Sequence, residues 1–235
     1  MGDNFSGQVA LVAGGTGGLG KAVSLAFLEA GASVIATYRN QGEFEALRAP
    51  ASAQASRLEG RSVDVTNDDA VGQMVASIVA QHGKIDALAN TVGGYDAGAK
   101  LWDTEPKVFE RMFALNFYSG YVLSRAVAPA MLKRGRGAIV NVASTAAIDH
   151  AGSAAAYAAS KSAAVAMIDS LAADLKGTGV RANSILPSII DTEANRRAMP
   201  HADFAKWPKP EEIARVILFL CSDDAKLVHG AAIRV

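Results

Sequence analysis

Residues 8–31 leave this chain few choices. A short apolar run, QVALVA, ends in GGTGGLG, where five of seven residues are glycine. Leu19, Ala22, Val23, Ala26 and Phe27 then recur at helical spacing until Gly31, which suits a helix C-cap. A second apolar run, SVIAT, follows at 33–37. Strand, tight turn, helix and strand in about thirty residues make a βαβ unit. Such a unit sets its two strands parallel, with the crossover helix packed on one face.

The rest of the chain repeats the alternation. The pattern predicts further strands at 62–65, 84–90, 137–143, 181–186 and 231–235. It predicts helices at 44–49, 70–82, 105–134, 153–176 and 210–222, with 51–60 as loop. The strand runs are apolar rather than alternating, as in a sheet covered on both faces. Half of the 235 residues are hydrophobic, enough to fill such a core. The expected fold class is α/β: a single doubly wound domain over 1–235, with about seven parallel strands and helices on both faces.

Charge narrows the partners. The 23 basic and 23 acidic side chains cancel, so no net field draws the chain to nucleic acid or to an anionic membrane. No apolar stretch approaches the roughly 20 residues that cross a bilayer, and the N-terminus does not read as a signal peptide, so a cytoplasmic protein is expected. The one cysteine, Cys221, sits in an apolar run and reads as a buried core residue, and no metal site is expected.

The glycine turn parses in more than one way. Gly15-x-x-x-x-Gly20-Lys21 fits most of a triphosphate-binding loop, but Ala22 stands where a metal-holding hydroxyl belongs. Lys21 then becomes an ordinary solvated helix residue. Gly15-x-Gly17-x-x-Gly20 fits a dinucleotide turn, in which an acid ending the second strand would bind the NAD ribose. That region reads Thr37-Tyr38-Arg39-Asn40, with no acid before Glu43. A guanidinium can clasp a 2′-phosphate in two hydrogen bonds, so Arg39 favours NADP(H), with NAD(H) possible.

Further along, Tyr157-Ala158-Ala159-Ser160-Lys161 places a tyrosine and a lysine one helical turn apart on one face. Ser144 lies thirteen residues before Tyr157, at the carboxyl end of the fifth strand, where ligands bind in open α/β sheets. A phenol with a pKa near 10 is a poor base at neutral pH, and a nearby ammonium or cationic ring would favour its phenolate. Tyr157 could then give a proton to a carbonyl oxygen or take one from an alcohol, with Ser144 holding that oxygen.

With these residues in view, nearly the whole chain resembles the short-chain dehydrogenase/reductase family, whose fold is Rossmann-type. The resemblance implies that Gly14-x-x-x-Gly18-x-Gly20, with Thr16, Gly17 and Leu19 between, is the cofactor turn. It implies a catalytic set of Asn116, Ser144, Tyr157 and Lys161, with Lys161 holding the nicotinamide ribose and Asn116 supporting a water-linked proton path. It likewise implies that Asp64 and Val65 contact the adenine and that Asn90-Thr91-Val92-Gly93 follows the fourth strand beside the cofactor. Pro187, Ile189 and Thr192 would hold the carboxamide through the Ile189 backbone and the Thr192 hydroxyl. Departures are Ala13 before the first glycine, Thr91 for a second asparagine and Ser188 for a glycine. The sequence stops at Val235, where relatives usually run a few residues further.

The function implied is hydride transfer between NADP(H) and a carbonyl/alcohol small molecule. The alternatives are a 3-oxoacyl thioester (acyl carrier) reductase, or a non-catalytic dinucleotide-binding sensor on the same fold. Family members usually assemble through the two long helices, 105–134 and 153–175, so a homotetramer is expected, with a homodimer next. A substrate lid is expected near 188–208, where Arg196 and Arg197 could meet an anionic group or simply be solvated.

Overall fold

The structure is a computed structural model and describes residues 5–235. Its strands are β1 (Val9–Ala13), β2 (Ser33–Tyr38), β3 (Leu58–Ser62), β4 (Ala87–Asn90), β5 (Gly137–Val142), β6 (Val180–Leu186) and β7 (Ala232–Arg234). They form one all-parallel sheet in the order β3-β2-β1-β4-β5-β6-β7. The helices are α1 (Gly18–Glu29), α2 (Gln41–Arg48), α3 (Asp68–His82), α4 (Pro106–Phe113), α5 (Ser119–Arg134), α6 (Ala155–Asp174), α7 (Glu193–Ala198) and α8 (Pro210–Cys221).

The apolar strands are explained by what covers them. Along β1, Ala10 and Val12 join one core with Val23, Phe27 and Leu28 of α1 and Ile213 and Ile217 of α8. Val9, Leu11 and Ala13 join the other, with Val71 and Ile78 of α3, Val122 and Leu123 of α5 and Ile168 of α6. Each strand face is therefore buried, and no polar alternation survives. Removing a side chain such as Phe27, which is fully buried, from water is worth about 1.5–3 kcal/mol. Cys221 is buried in the first core, and burial pushes its thiol up to about 12.

Two elements differ from the sequence pattern. The third strand lies at Leu58–Ser62, in register Val34↔Leu58 through Tyr38↔Ser62, and not at 62–65. As the edge strand it is only partly buried and reads LEGRS, so hydropathy favoured the apolar residues after it. Gly60 belongs there because a β-carbon would lie 2.6 Å from the Phe44 ring, which stacks on Tyr38. The long helix expected at 105–134 is interrupted by a π turn, Ala114–Tyr118, between α4 and α5. Hydrophobic periodicity carries no mark of that one extra residue.

The chain runs outward from β1 to β3, then crosses back to place β4 on the other side of β1. This reversal opens a crevice at the carboxyl ends of β1 and β4, the usual ligand position in such sheets. No helix among the described residues is long and apolar enough to cross a membrane.

Candidate active site

The glycine turn fills the crevice floor. Gly14 takes a left-handed conformation, φ 71°, and its amide donates to the Thr37 hydroxyl at 2.9 Å, tying β1 to β2. Gly15 needs its missing side chain because a β-carbon would meet Ala36 Cβ at 2.7 Å. On Gly20 it would overlap the Gly14 carbonyl oxygen and come within 2.7 Å of Thr91 Oγ1. The Thr91 hydroxyl itself donates to the Ala13 carbonyl at 2.7 Å, so this departure from the family pattern closes the turn from the β4 side.

Gly17 caps α1 without any side-chain hydrogen bond, and no acid stands in the first turn. The first amides of α1, from Gly18, Leu19 and Gly20, are thus left for an anion at the positive end of the helix dipole. Leu19 can serve only through its backbone, since its side chain is in the core. These features fit the pyrophosphate of a dinucleotide.

Beyond the turn, a cleft of about 360 Å³ is lined by Gly14, Thr16, Gly17, Arg39, Glu43, Asp64, Val65 and Gly93 among others. It brings together most of the residues expected to face the cofactor's adenosine half. Asp64 accepts from the amide and hydroxyl of Thr66 (2.9 and 2.7 Å). Those bonds, with Arg39 nearby, hold its carboxyl below the usual range. Val65 is buried, so only its backbone reaches the cleft. Arg39 is exposed and has no hydrogen bond or salt bridge among the described residues. Glu43 accepts from the Thr16 hydroxyl at 3.0 Å and puts a carboxylate into the same cleft.

At the other end of the crevice, Ser144 follows β5 and Tyr157 and Lys161 stand on α6. Lys161 is buried and its ammonium donates to the Val142 carbonyl at 3.0 Å. Burial lowers its pKa to about 8, because the charged form has lost its water. Burial raises the Tyr157 phenol above its ordinary value, with the side-chain interaction with Ser144 opposing the rise and Tyr95 adding to it. The lowering expected from Lys161 is absent. Its ammonium lies 6.0 Å from the Tyr157 ring centroid, and burial of the phenol is the largest cause of its shift. Tyr157 is therefore a protonated donor at neutral pH.

Asn116 sits inside the π turn, 1% exposed. Its Oδ1 accepts from the Gly94 amide at 2.9 Å, and its Nδ2 donates to the Gly94 carbonyl at 3.1 Å and to Ser160 Oγ at 3.0 Å. Its Nδ2 also reaches back to Met112 Sδ at 3.7 Å, but its shorter bonds go across to Gly94 and Ser160. A β-carbon on Gly93 would lie 3.0 Å from Asn116 Oδ1 and 3.1 Å from Lys161 Nζ, so the bare Gly93 backbone brings the two side chains to one point. Ser160 was missed as a support for Asn116, although its place in Tyr157-x-x-Ser160-Lys161 was the available signal.

Asn90 is buried at the end of β4, donating to Asn141 Oδ1 at 2.8 Å and accepting from the Val92 amide at 3.2 Å. The carbonyl of Pro187 accepts from the Thr145 amide at 3.0 Å, joining the start of the 188–208 segment to the residues after Ser144. Ile189 is exposed beside it. Thr192 Oγ1 accepts from the Asn195 amide at 3.2 Å as the cap of α7, which leaves its hydroxyl hydrogen to donate. Its methyl faces Gly18, where a β-carbon would be 2.8 Å away. Of the two arginines of α7, Arg196 forks onto Asp191 and Arg197 pairs with Glu193, so both are already partnered.

The family model for short chain dehydrogenases matches residues 8–203. The 3-oxoacyl-[acyl-carrier-protein] reductase FabG of Thermotoga maritima is 31% identical, covering 98% of this chain and 97% of its own. The 7alpha-hydroxysteroid dehydrogenase of Escherichia coli K12 is 30% identical, covering 98% and 93%. Among solved structures, an NAD+-bound xylitol dehydrogenase superposes with a TM-score of 0.91 at 28% identity, covering 98% of each chain.

Proposed function

The chain belongs to the short chain dehydrogenase family and is an oxidoreductase acting on a carbonyl/alcohol pair with NAD(P); from that premise we propose an NADP(H)-dependent carbonyl reductase worked by Ser144, Tyr157, Lys161 and Asn116. The observation that supports this reading best is that the buried Lys161 ammonium and the Asn116 amide both border Gly93, one helical turn from a protonated Tyr157.

A bound nicotinamide supplies the hydride. In our reading the substrate carbonyl oxygen lies between the Ser144 hydroxyl and the Tyr157 phenol, and Tyr157 passes its proton to that oxygen. Lys161, held by the Val142 carbonyl, fixes the ribose beside Tyr157. Asn116 positions the Gly94 backbone and keeps a polar route from Lys161 toward solvent. Gly14, Thr16, Gly17, Gly18, Leu19 and Gly20 hold the pyrophosphate, and Asp64 and Val65 the adenine. Asn90 and Gly93 shape the wall, and Pro187, Ile189 and Thr192 receive the carboxamide.

The choice of NADP(H) rests on Arg39, a free guanidinium at the mouth of the adenosine cleft. One observation favours NAD(H) instead: Glu43, whose carboxylate would repel a 2′-phosphate and could accept from ribose hydroxyls. The two residues act in opposite directions, and their variants separate them. Arg39→Ala should weaken NADPH roughly tenfold or more while NADH changes little. Glu43→Gln should tighten NADPH. Equal losses for both cofactors in Arg39→Ala, measured by fluorescence titration, would defeat the NADP reading.

The acyl carrier reductase remains the alternative, because the Thermotoga maritima relative carries that activity in its name. We also propose a homotetramer. Tyr118 and Tyr121 stand 40% exposed at the start of α5 with ring centroids 5.6 Å apart, an apolar pair suited to a second copy. Light scattering at micromolar concentration should give four times the chain mass, and a monomer would reject it.

A further inference from the structure

The loops around Tyr157 differ sharply in what they leave unsatisfied. Three segments rise from the carboxyl edge of the sheet around it: 91–105, 143–154 and 188–208. Contacts bind them into one rim. The Gly98 amide donates to the Ser153 carbonyl at 2.7 Å, the Thr145 amide donates to the Pro187 carbonyl, and Tyr95 packs edge-on against Tyr157 with centroids 4.9 Å apart. Ser153 is held at φ 61°, the one positive φ outside glycine among the described residues. Strain of that kind persists where the surroundings fix the backbone. Here the Ser153 carbonyl ties down the 91–105 loop at Gly98, three residues after Tyr95.

Most of the rim's charges are already paired. It carries seven acidic and four basic side chains. Within the lid, Arg196 forks onto Asp191, Arg197 meets Glu193, and Lys206 meets Asp203. Asp96 is met by Arg111 from α4, and Asp149 by both terminal nitrogens of Arg234. Lys100 is the one rim cation without an acid in salt-bridge reach among the described residues. An anionic substrate would therefore enter a rim with surplus acid and no guanidinium to receive it.

Apolar surface is what remains open. Tyr95, Leu101, Trp102, Ile148 and Ile189 are 72%, 60%, 81%, 48% and 44% exposed, and all belong to these three segments. The Tyr95 ring touches Tyr157 with one edge and leaves most of its area to solvent. A flat apolar group next to a reacting carbonyl would cover that area and gain an aromatic contact.

From this, and resting on the carbonyl-reductase reading above, we infer that the substrate is an uncharged carbonyl compound carrying an aromatic or similarly flat apolar ring beside its C=O, and that Tyr95 selects it. An acyl chain delivered on a phosphate-bearing carrier is the class the rim turns away.

The test uses one ketone in two charge states, methyl 4-acetylbenzoate and 4-acetylbenzoate, with acetoacetyl-CoA as the carrier-type thioester. Calorimetric titration in saturating NADP+, where no hydride is available, reads binding alone, and NADPH oxidation reads turnover. The ester should bind and turn over at least roughly tenfold better than the carboxylate or the CoA thioester. Tyr95→Ala should cost the ester about tenfold and narrow its advantage over 2-butanone, while Tyr95→Phe should retain the advantage. Preference for the carboxylate or the thioester, or an aryl preference untouched in Tyr95→Ala, overturns the inference and leaves the reductase reading standing. Binding of NADPH with no turnover of any of these carbonyls overturns that reading and the inference with it.

Discussion

Tyr157→Phe should lose at least about a hundredfold in kcat for any carbonyl the native chain reduces, with NADPH affinity within a few-fold of native. Transfer of a proton by a placed side chain is worth roughly 10²–10⁴ in rate. The variant removes one hydroxyl from a half-buried ring and leaves its packing against Tyr95, so the fold should be undisturbed. pH carries a second readout. Burial holds the phenol above its ordinary value of 10, so the proton is in place throughout the neutral range. Native reduction should therefore hold steady through neutral pH and fall in alkali, first as Lys161 loses its proton at about 8 and then as the phenol ionises, while oxidation of the alcohol should gain from the phenolate. The residual rate of the variant should lack the limb that belongs to the phenol. Full activity in Tyr157→Phe would remove tyrosine from the mechanism.

Gly20→Ala should damage cofactor binding and stability together, and Gly72→Ala should do the opposite of the second. A β-carbon on Gly20 overlaps the Gly14 carbonyl oxygen, a backbone atom with no rotamer by which to escape. The turn must open, and overpacking of that sort costs about 1–3 kcal/mol. Expressed in affinity, that is roughly ten- to a hundredfold for NADPH, since about 1.4 kcal/mol is tenfold. The melting temperature should fall by several degrees, at about 2–4 °C per kcal/mol for a chain of this size. Gly72, inside α3, has nothing within 4 Å of its would-be β-carbon and no left-handed φ. Alanine there should raise stability by about 0.5–1 kcal/mol through helix propensity and leave NADPH binding untouched. Thermal melts with and without NADPH separate the two; equal effects would mean that the Gly20 contact is not what closes the turn.

Much of this molecule was legible before any coordinate. The sheet could be read because its five inner strands are covered on both sides, and such strands announce themselves as continuous apolar runs. β3 could not, because an edge strand of LEGRS gains its place from hydrogen bonds to β2 rather than from burial. In the site, Tyr157, Lys161 and Ser144 were legible because their chemistry requires particular side chains at particular spacings. The surroundings that tune them were not. Whether Lys161 lowers the Tyr157 pKa depends on distance and desolvation, and the spacing of four residues is silent on both. The lid arginines were ambiguous for the same reason: Arg196 could be a receptor for anions until Asp191 was seen in its fork. Glu43 was noticed only as an acid that comes too late in the sequence, yet α2 folds it back into the cleft.

The π turn at Ala114–Tyr118 reaches further than Asn116. Every residue of an α-helix advances the side-chain direction by about 100°. One residue held back by a wider turn therefore shifts the phase of everything after it by about that angle. Asn116 points inward to Gly94 while Tyr118 and Tyr121, two and five residues on, face outward. The interior of the site and the outer surface of α5 are thus set by a single angular offset. A one-residue deletion in this segment would rotate the two against each other, so the chain cannot retune its outer face here without turning its buried asparagine away.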